Sequence, residues 1–265
     1  MGHPTPRPFL FGTNLKMHQT PVESANFYRE LAAAGPVPER CQRFVIPPFT
    51  SLPAVTELAR QERAGIWVGA QNMHWATGGA YTGEISAPML VALGVDLVLL
   101  GHAERRDLFH ETDSDVNKKV LAALEHGLRV LLCVGETADE RSRGTGTEIV
   151  ARQLRVALEG TDAAAIPLLQ IAYEPVWSIG EGGVPAQPAD VAPIVGVIRT
   201  TLYDRLGRGS QAVPVLYGGS VNPDNAAAFA AVEGIDGLFV GRAAWTASGF
   251  RATLVEGLKS CVGEI

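Results

Sequence analysis

Residues 97–134 read LVLLGHAERRDLFHETDSDVNKKVLAALEHGLRVLLCV. The stretch opens and closes on short apolar runs, Leu97–Leu100 and Val130–Val134, apolar at consecutive rather than alternate positions. Continuous apolarity over so few residues marks a strand buried on both faces, as in a parallel sheet. Between the runs, Asp115–His126 places Val116, Val120, Leu121 and Leu124 on one stripe at helical spacing, and Ser114 offers a start signal. The stretch reads as one β–α–β unit.

The same rhythm extends to both ends of the chain. Further apolar runs are Phe9–Leu15, Arg43–Ile46, Ile66–Ala70, Leu168–Tyr173, Val213–Tyr217 and Gly237–Val240, which makes eight in all. Helix-length segments separate them. Pro21–Ala34 puts Val22, Ala25, Phe27 and Leu31 on one face, and Ala189–Leu206 does the same with Val191, Ile194, Val195, Ile198 and Leu202. Thr20-Pro21 and Asn222-Pro223 add start signals with proline in the first turn. Eight β–α units without a composition break predict an α/β fold, a single-domain (β/α)8 barrel over residues 1–265, with 1–8 as a short N-terminal extension. A doubly wound open sheet is the alternative, because a strand count does not prove closure.

Composition sets the outer limits. The 265 residues are 46% hydrophobic and 19% charged, with a net charge of −6. Such a chain reads as globular and long enough for a large core. An acidic balance argues against nucleic acid as a partner, since phosphate backbones are bound by basic faces. It leaves room for a small anion, which needs only local donors. Cys41, Cys133 and Cys261 form no Cys-x-x-Cys pair, so reduced thiols and a cytoplasmic location are expected. The N-terminus reads as lacking a secretory signal, and no stretch reads as a membrane span.

In a barrel, chemistry belongs to the residues just after the strands. Asn14 and Lys16 stand at the end of the first run, Gly101-His102 follow the fourth, Glu174 the sixth, Gly218-Gly219-Ser220 the seventh, and Gly241-Arg242 the eighth. Glu174 is the candidate base. A carboxylate beside aliphatic and aromatic groups is costly to hold charged, so its basicity should rise. A salt-bridged glutamate at a strand end is the competing reading. His102 is the candidate electrophile, because backbone N–H groups of a helix starting near Ala103 favour the neutral ring. Lys16, the only lysine before Lys118, offers a cation for charge developing on an oxygen. The glycine-rich pieces suggest a phosphate cradle. No Gly-x-x-x-x-Gly-Lys-Ser/Thr element is present, and His102-Ala-Glu104 lacks a Pro-Cys-x-x-Cys companion, so neither a nucleotide P-loop nor a deaminase zinc site is expected. Ser178–Pro185, including Glu181, reads as a mobile lid with stiff ends.

Taken together these residues resemble the triosephosphate isomerase family. The matching motifs are Gly12-Thr-Asn-Leu-Lys-Met17, Gly69-Ala-Gln-Asn72, Thr82-Gly-Glu-Ile-Ser86, Gly101-His-Ala-Glu-Arg-Arg106, Cys133-Val-Gly-Glu136, Ala172-Tyr-Glu-Pro-Val-Trp177, Leu216-Tyr-Gly-Gly-Ser-Val221 and Asp236-Gly-Leu-Phe-Val-Gly241. They run from about Phe9 to the C-terminus in the family's order. The resemblance implies a TIM barrel enzyme that moves a proton through an enediolate without cofactor or metal. Glu174 would carry the proton, His102 would polarise the substrate oxygens, and Asn14 and Lys16 would bind substrate and stabilise charge. Gly180, Ser220, Gly241 and Arg242 would hold the phosphate. Glu104, Tyr217 and Cys133 would support the site. The family is usually dimeric, which implies that Thr82, Glu84 and Trp75 reach a partner subunit, with Glu84 against the partner's Arg105.

Several positions depart from the usual family pattern. Leu15 stands for Trp, His18 for Asn, Ala103 for Ser, His110 for Gly, and Arg242-Ala-Ala-Trp245 for Gly-Ala-Ser-Leu. At Pro185 the family's lid uses a backbone N–H to meet the hydroxyl at Tyr217. Proline has no N–H, so closure must be secured differently, with Ser220 and Gly182 as candidates. Arg43-Phe-Val-Ile-Pro-Pro-Phe-Thr50, Asn72-Met-His-Trp75, Gly183-Val-Pro-Ala186 and Gly241-Arg-Ala-Ala-Trp245 are similar to a subgroup that isomerises erythrulose phosphate. The substrate implied is a tetrulose or triose phosphate, with a lean to the tetrulose. A lyase or metal hydrolase on the same fold, and an idle phosphosugar-binding homologue, are the competing classes.

Overall fold

The computed structural model describes residues 8–35, 37–38, 40–180 and 182–260. Of the predicted extension only Pro8 is included, and Glu181 and Cys261 lie outside the described residues. Eight strands form the centre: β1 (Phe9–Asn14), β2 (Cys41–Ile46), β3 (Ile66–Ala70), β4 (Leu97–Leu100), β5 (Arg129–Val134), β6 (Leu169–Tyr173), β7 (Val215–Tyr217) and β8 (Gly237–Val240). All are parallel and stand in sequence order. β8 returns to pair with β1, from Leu10↔Gly237 to Thr13↔Val240. The sheet is a closed barrel, which settles the choice against an open sheet.

Successive residues of one strand serve two layers. Leu97, Leu99, Leu131, Cys133, Ala172, Leu216 and Phe239 fill the interior with Leu10, Phe44 and Ile46. Val98, Leu100, Val130, Leu132 and Ile171 face outward into a larger apolar layer under the helices. Both faces are dry, which is why the runs are continuously apolar.

The outer ring comprises α1 (Pro21–Ala33), α2 (Leu52–Glu62), α3 (Ala87–Leu93), α4 (Ala103–Leu108), α5 (Asp113–Glu125), α6 (Ala138–Ser142), α7 (Gly146–Ala157), α8 (Pro188–Leu206), α9 (Ala226–Ala230) and α10 (Ala247–Leu258). Two predicted starts need correction. Ser114 lies inside the first turn of α5. Thr112 is the cap, its hydroxyl accepting the Asp115 N–H while the Asp115 carboxylate reaches back. Asn222-Pro223 opens no helix. The Asn222 side chain accepts the N–H groups of Asp224 (2.9 Å) and Asn225 (3.2 Å), a turn that competes with helix, and α9 begins only at Ala226. His110, where the resemblance leads one to expect glycine, sits at φ 55°, the left-handed backbone that glycine adopts freely.

Candidate active site

β1 ends on Asn14, whose side-chain oxygen accepts the Lys16 N–H at 2.8 Å. That bond folds the chain into left-handed backbone at Lys16 (φ 50°), and Gln71, just beyond β3, donates to the Lys16 carbonyl at 2.7 Å. The Lys16 ammonium then reaches the Glu104 carboxylate at 2.6 Å. β4 ends at Leu100, and His102 caps α4. The Glu104 N–H faces His102 Nδ1 at 3.2 Å. A donor facing Nδ1 requires that nitrogen to accept, so the proton of a neutral ring sits on Nε2.

From the other side, Glu174 follows β6, its N–H bonded to Val134 at 2.8 Å. The backbone passes so close to Gly135 that a Cβ there would lie 1.8 Å from the Glu174 carbonyl oxygen. Only glycine fits at position 135 beside Glu174. Its Oε1 lies 3.4 Å from His102 Nε2, and the two side chains are only 4% and 5% exposed. Oε2 is buried with no hydrogen-bond partner among the described residues. Cys133 lies beside it. Burial, with the Glu174 carboxylate adding to it, pushes the Cys133 thiol well above its usual pKa and keeps it protonated.

Glu136 follows β5 at the end of the motif Cys133-Val-Gly-Glu136. It is buried and accepts from Tyr173 Oη at 3.0 Å and from the Trp177 indole at 2.7 Å. Arg141 lies over the Trp177 ring at 3.6 Å. These contacts pin the segment that leads into residues 178–185. Near the far end of that loop the chain returns to the same place, with the Val184 N–H on the Trp177 carbonyl at 3.1 Å. The Tyr217 hydroxyl is buried against Gly219, close to the Ser178 hydroxyl, and burial pushes it up to about 12. The Ser220 carbonyl accepts from the Asn225 side-chain amide at 2.9 Å.

Gly180, Ser220, Gly241 and Arg242 all lie in loops at the C-terminal ends of β6, β7 and β8, and Gly180, Ser220 and Arg242 are exposed. Thr82 and Glu84 are exposed on the loop after β3. Trp75 is engaged within its own chain, stacked on His74 at 4.2 Å with the Lys118 ammonium 4.7 Å above its ring. Arg105 pairs with Glu111 at 3.4 Å. Sequence reasoning missed Gln71 and Trp245 as structural members of the site. The Trp245 indole donates to the Asn14 carbonyl at 2.9 Å. The signal for Trp245 was its departure from the family's usual Leu at that position.

Among the described residues no group of three or more His, Cys, Asp or Glu is placed to hold a metal ion, and no helix is long and apolar enough to cross a membrane. The arrangement brings a buried carboxylate and an Nε2–H donor to one small volume, with an ammonium fixed nearby. That set can move a proton between adjacent carbons and support charge on the oxygens they carry.

The sequence pattern of the triosephosphate isomerase family matches residues 9–256. The chain is 47% identical over 244 residues to an L-erythrulose-1-phosphate isomerase of Mesorhizobium japonicum, covering 91% of this chain and 94% of that protein. It is 45% identical over 246 residues to a triosephosphate isomerase of Caldanaerobacter subterraneus subsp. tengcongensis, covering 92% and 97%. Among solved structures, a triosephosphate isomerase from Bartonella henselae superposes with a TM-score of 0.84 at 35% identity, covering 94% of this chain and 98% of that one.

Proposed function

The chain belongs to the triosephosphate isomerase family, and from that premise we propose that it interconverts L-erythrulose 1-phosphate and D-erythrulose 4-phosphate by cofactor-free proton transfer. Moving the ketone between carbons two and three requires one proton to leave one carbon and return to its neighbour. Glu174 Oε2, buried and unpartnered, takes and returns that proton. The electron pair left behind forms the enediolate. His102, donating from Nε2, shares its proton with the two oxygens in turn. Lys16, turned inward by Asn14 and Gln71, offsets the developing charge, and Glu104 holds both the lysine and, through its N–H, the histidine tautomer.

The observation that carries this reading is the 3.4 Å approach of His102 Nε2 to Glu174 Oε1, both side chains buried. Gly180, Ser220, Gly241 and Arg242 hold the phosphate at the rim of β6 to β8. Cys133 supports Glu174, and Tyr217 supports the lid. The enzyme acts as a homodimer in the cytoplasm, where the reduced thiols Cys41 and Cys133 persist. In the dimer Thr82 approaches the partner's Asn14 and His102, and Trp75 stiffens the loop that carries it.

The lean to the tetrulose is supported by the subgroup motifs and by relatives at 47% and 46% identity that carry that name. The second reading, a triosephosphate isomerase of glycolysis and gluconeogenesis, is favoured by the complete Asn14, Lys16, His102 and Glu174 set and by the 45% identical relative of that name. Supplying both substrates to the pure protein separates them. Faster turnover of erythrulose phosphate is expected. Much greater turnover of glyceraldehyde 3-phosphate assigns the chain to the triose.

A further inference from the structure

The loop after β1 contains two non-glycine residues in left-handed backbone, Lys16 (φ 50°) and Gln19 (φ 72°). Such backbone persists only where its surroundings over-determine it. Part of that restraint comes from across the seam where the barrel closes. Because β8 pairs with β1, the loop after β8 lies beside the loop after β1. Trp245 reaches over from the β8 side. Its indole N–H donates to the Asn14 carbonyl at 2.9 Å. The Gln19 side-chain amide answers by donating to the Trp245 carbonyl at 3.0 Å. The His18 imidazole lies on the indole, ring centroids 4.3 Å apart.

This makes a clasp with bonds in both directions, and it is joined to chemistry at each end. On one side Asn14 holds the Lys16 N–H at 2.8 Å, and the Lys16 ammonium meets Glu104 at 2.6 Å. On the other, Trp245 ends the turn Arg242–Ala244, which starts next to Gly241. We propose that Trp245 is a positioning residue: by fixing the Asn14 carbonyl it sets Lys16 for the proton transfer, and it makes the phosphate-side loop and the charge-stabilising lysine move as one piece. The inference rests on the roles given above to Lys16 and to the loop at 241–242. Trp245 itself acts only through Asn14 and does not touch the reacting atoms.

Trp245→Phe keeps an aromatic face for His18 and removes only the N–H donor. With whichever phosphosugar the wild-type enzyme turns over faster, kcat is expected to fall about tenfold while KM stays within about twofold, because a small misplacement of a fixed cation acts on the transition state more than on the bound substrate. A crystal structure of the variant is expected to show the Lys16 ammonium displaced from Glu104. Unchanged kcat, a loss confined to KM, or a loss of kcat with the 14–18 segment in its present place each overturns the proposal. Should Trp245→Phe fail to fold, Gln19→Ala removes the return bond. A fall in kcat of about two- to fivefold is expected there, since the loop is loosened rather than released, and an unchanged kcat overturns the clasp. Lys16→Met separates this inference from the reading beneath it. Full activity in Lys16→Met sinks the role of the lysine, whereas an inactive Lys16→Met beside a fully active Trp245→Phe sinks the clasp alone.

Discussion

Glu174 keeps one carboxylate oxygen buried without a hydrogen-bond partner among the described residues, in a site where its side chain and that of His102 are almost wholly covered. Leaving a buried acceptor unpaired costs about 1–3 kcal/mol, a cost that a bond to substrate would offset. The role proposed for Glu174 as the base accounts for such an oxygen. Glu174→Asp withdraws the carboxylate by one methylene and leaves the loops after β7 and β8 untouched. Its kcat is expected to fall by about a hundredfold or more, with inorganic phosphate binding by calorimetry unchanged. A loss of phosphate binding of similar size would contradict the assignment. At this scale much was readable in advance. Glu174, His102 and Lys16 stand just beyond apolar runs and Asn14 at the end of one, where a barrel exposes its chemistry. Gln71 and Glu136 also stand there, but an isolated polar residue after a strand carries no sign of what it will bond. The Gln71 bond to the Lys16 carbonyl depends on a backbone turn that only the folded loop displays.

Among the elements, α1, α5 and α6 begin with the same device, a threonine cap answered by an acid three residues on: Thr20 with Glu23, Thr112 with Asp115, and Thr137 with Glu140. The α5 cap matters for the site's surroundings. This helix carries Lys119, which is buried and bonds Asn72 at 2.9 Å and Glu111. Thr112→Ala is expected to cost about 1 kcal/mol at neutral pH, read from urea unfolding. Hydrogen bonds from Thr112 lower the Asp115 pKa below its ordinary value. A carboxyl lowered by folding adds stability above its unfolded pKa and loses it as pH falls through the folded one. The difference between wild type and Thr112→Ala should therefore shrink in acid, below about pH 4, and a constant difference would rule out the carboxylate's share. Helix existence was legible here from the 3.6-residue stripe, and helix starts were less so. Serine and threonine both cap well, and Asp115 selects Thr112 over Ser114. At Asn222 the local turn bonds outcompeted a helix that its following proline also permits.

For the whole molecule the deciding event is closure. Eight strands in a row are compatible with an open sheet, and nothing local distinguishes the last strand of a row from the last strand of a ring. β8 meets β1 at Gly237, where a Cβ would lie 2.0 Å from the Leu10 carbonyl oxygen. Gly237→Ala is expected to destabilise the fold by about 1–3 kcal/mol or more, since backbone must move to admit the methyl. Gly196→Ala in α8, with open space around it, is the matched control and should not destabilise. Equal urea midpoints for the two variants would show that the seam tolerates the added atom.

The chain on its own determined its β–α rhythm, its buried strands and the residue types at their ends, because these follow from burial and spacing over a few neighbouring positions. The meeting of His102 with Glu174, the tautomer forced by Glu104 and the Trp245 bond to Asn14 were decided by the tertiary structure. Each joins groups from separate strands or loops, and their separation depends on how all eight strands pair to complete the ring.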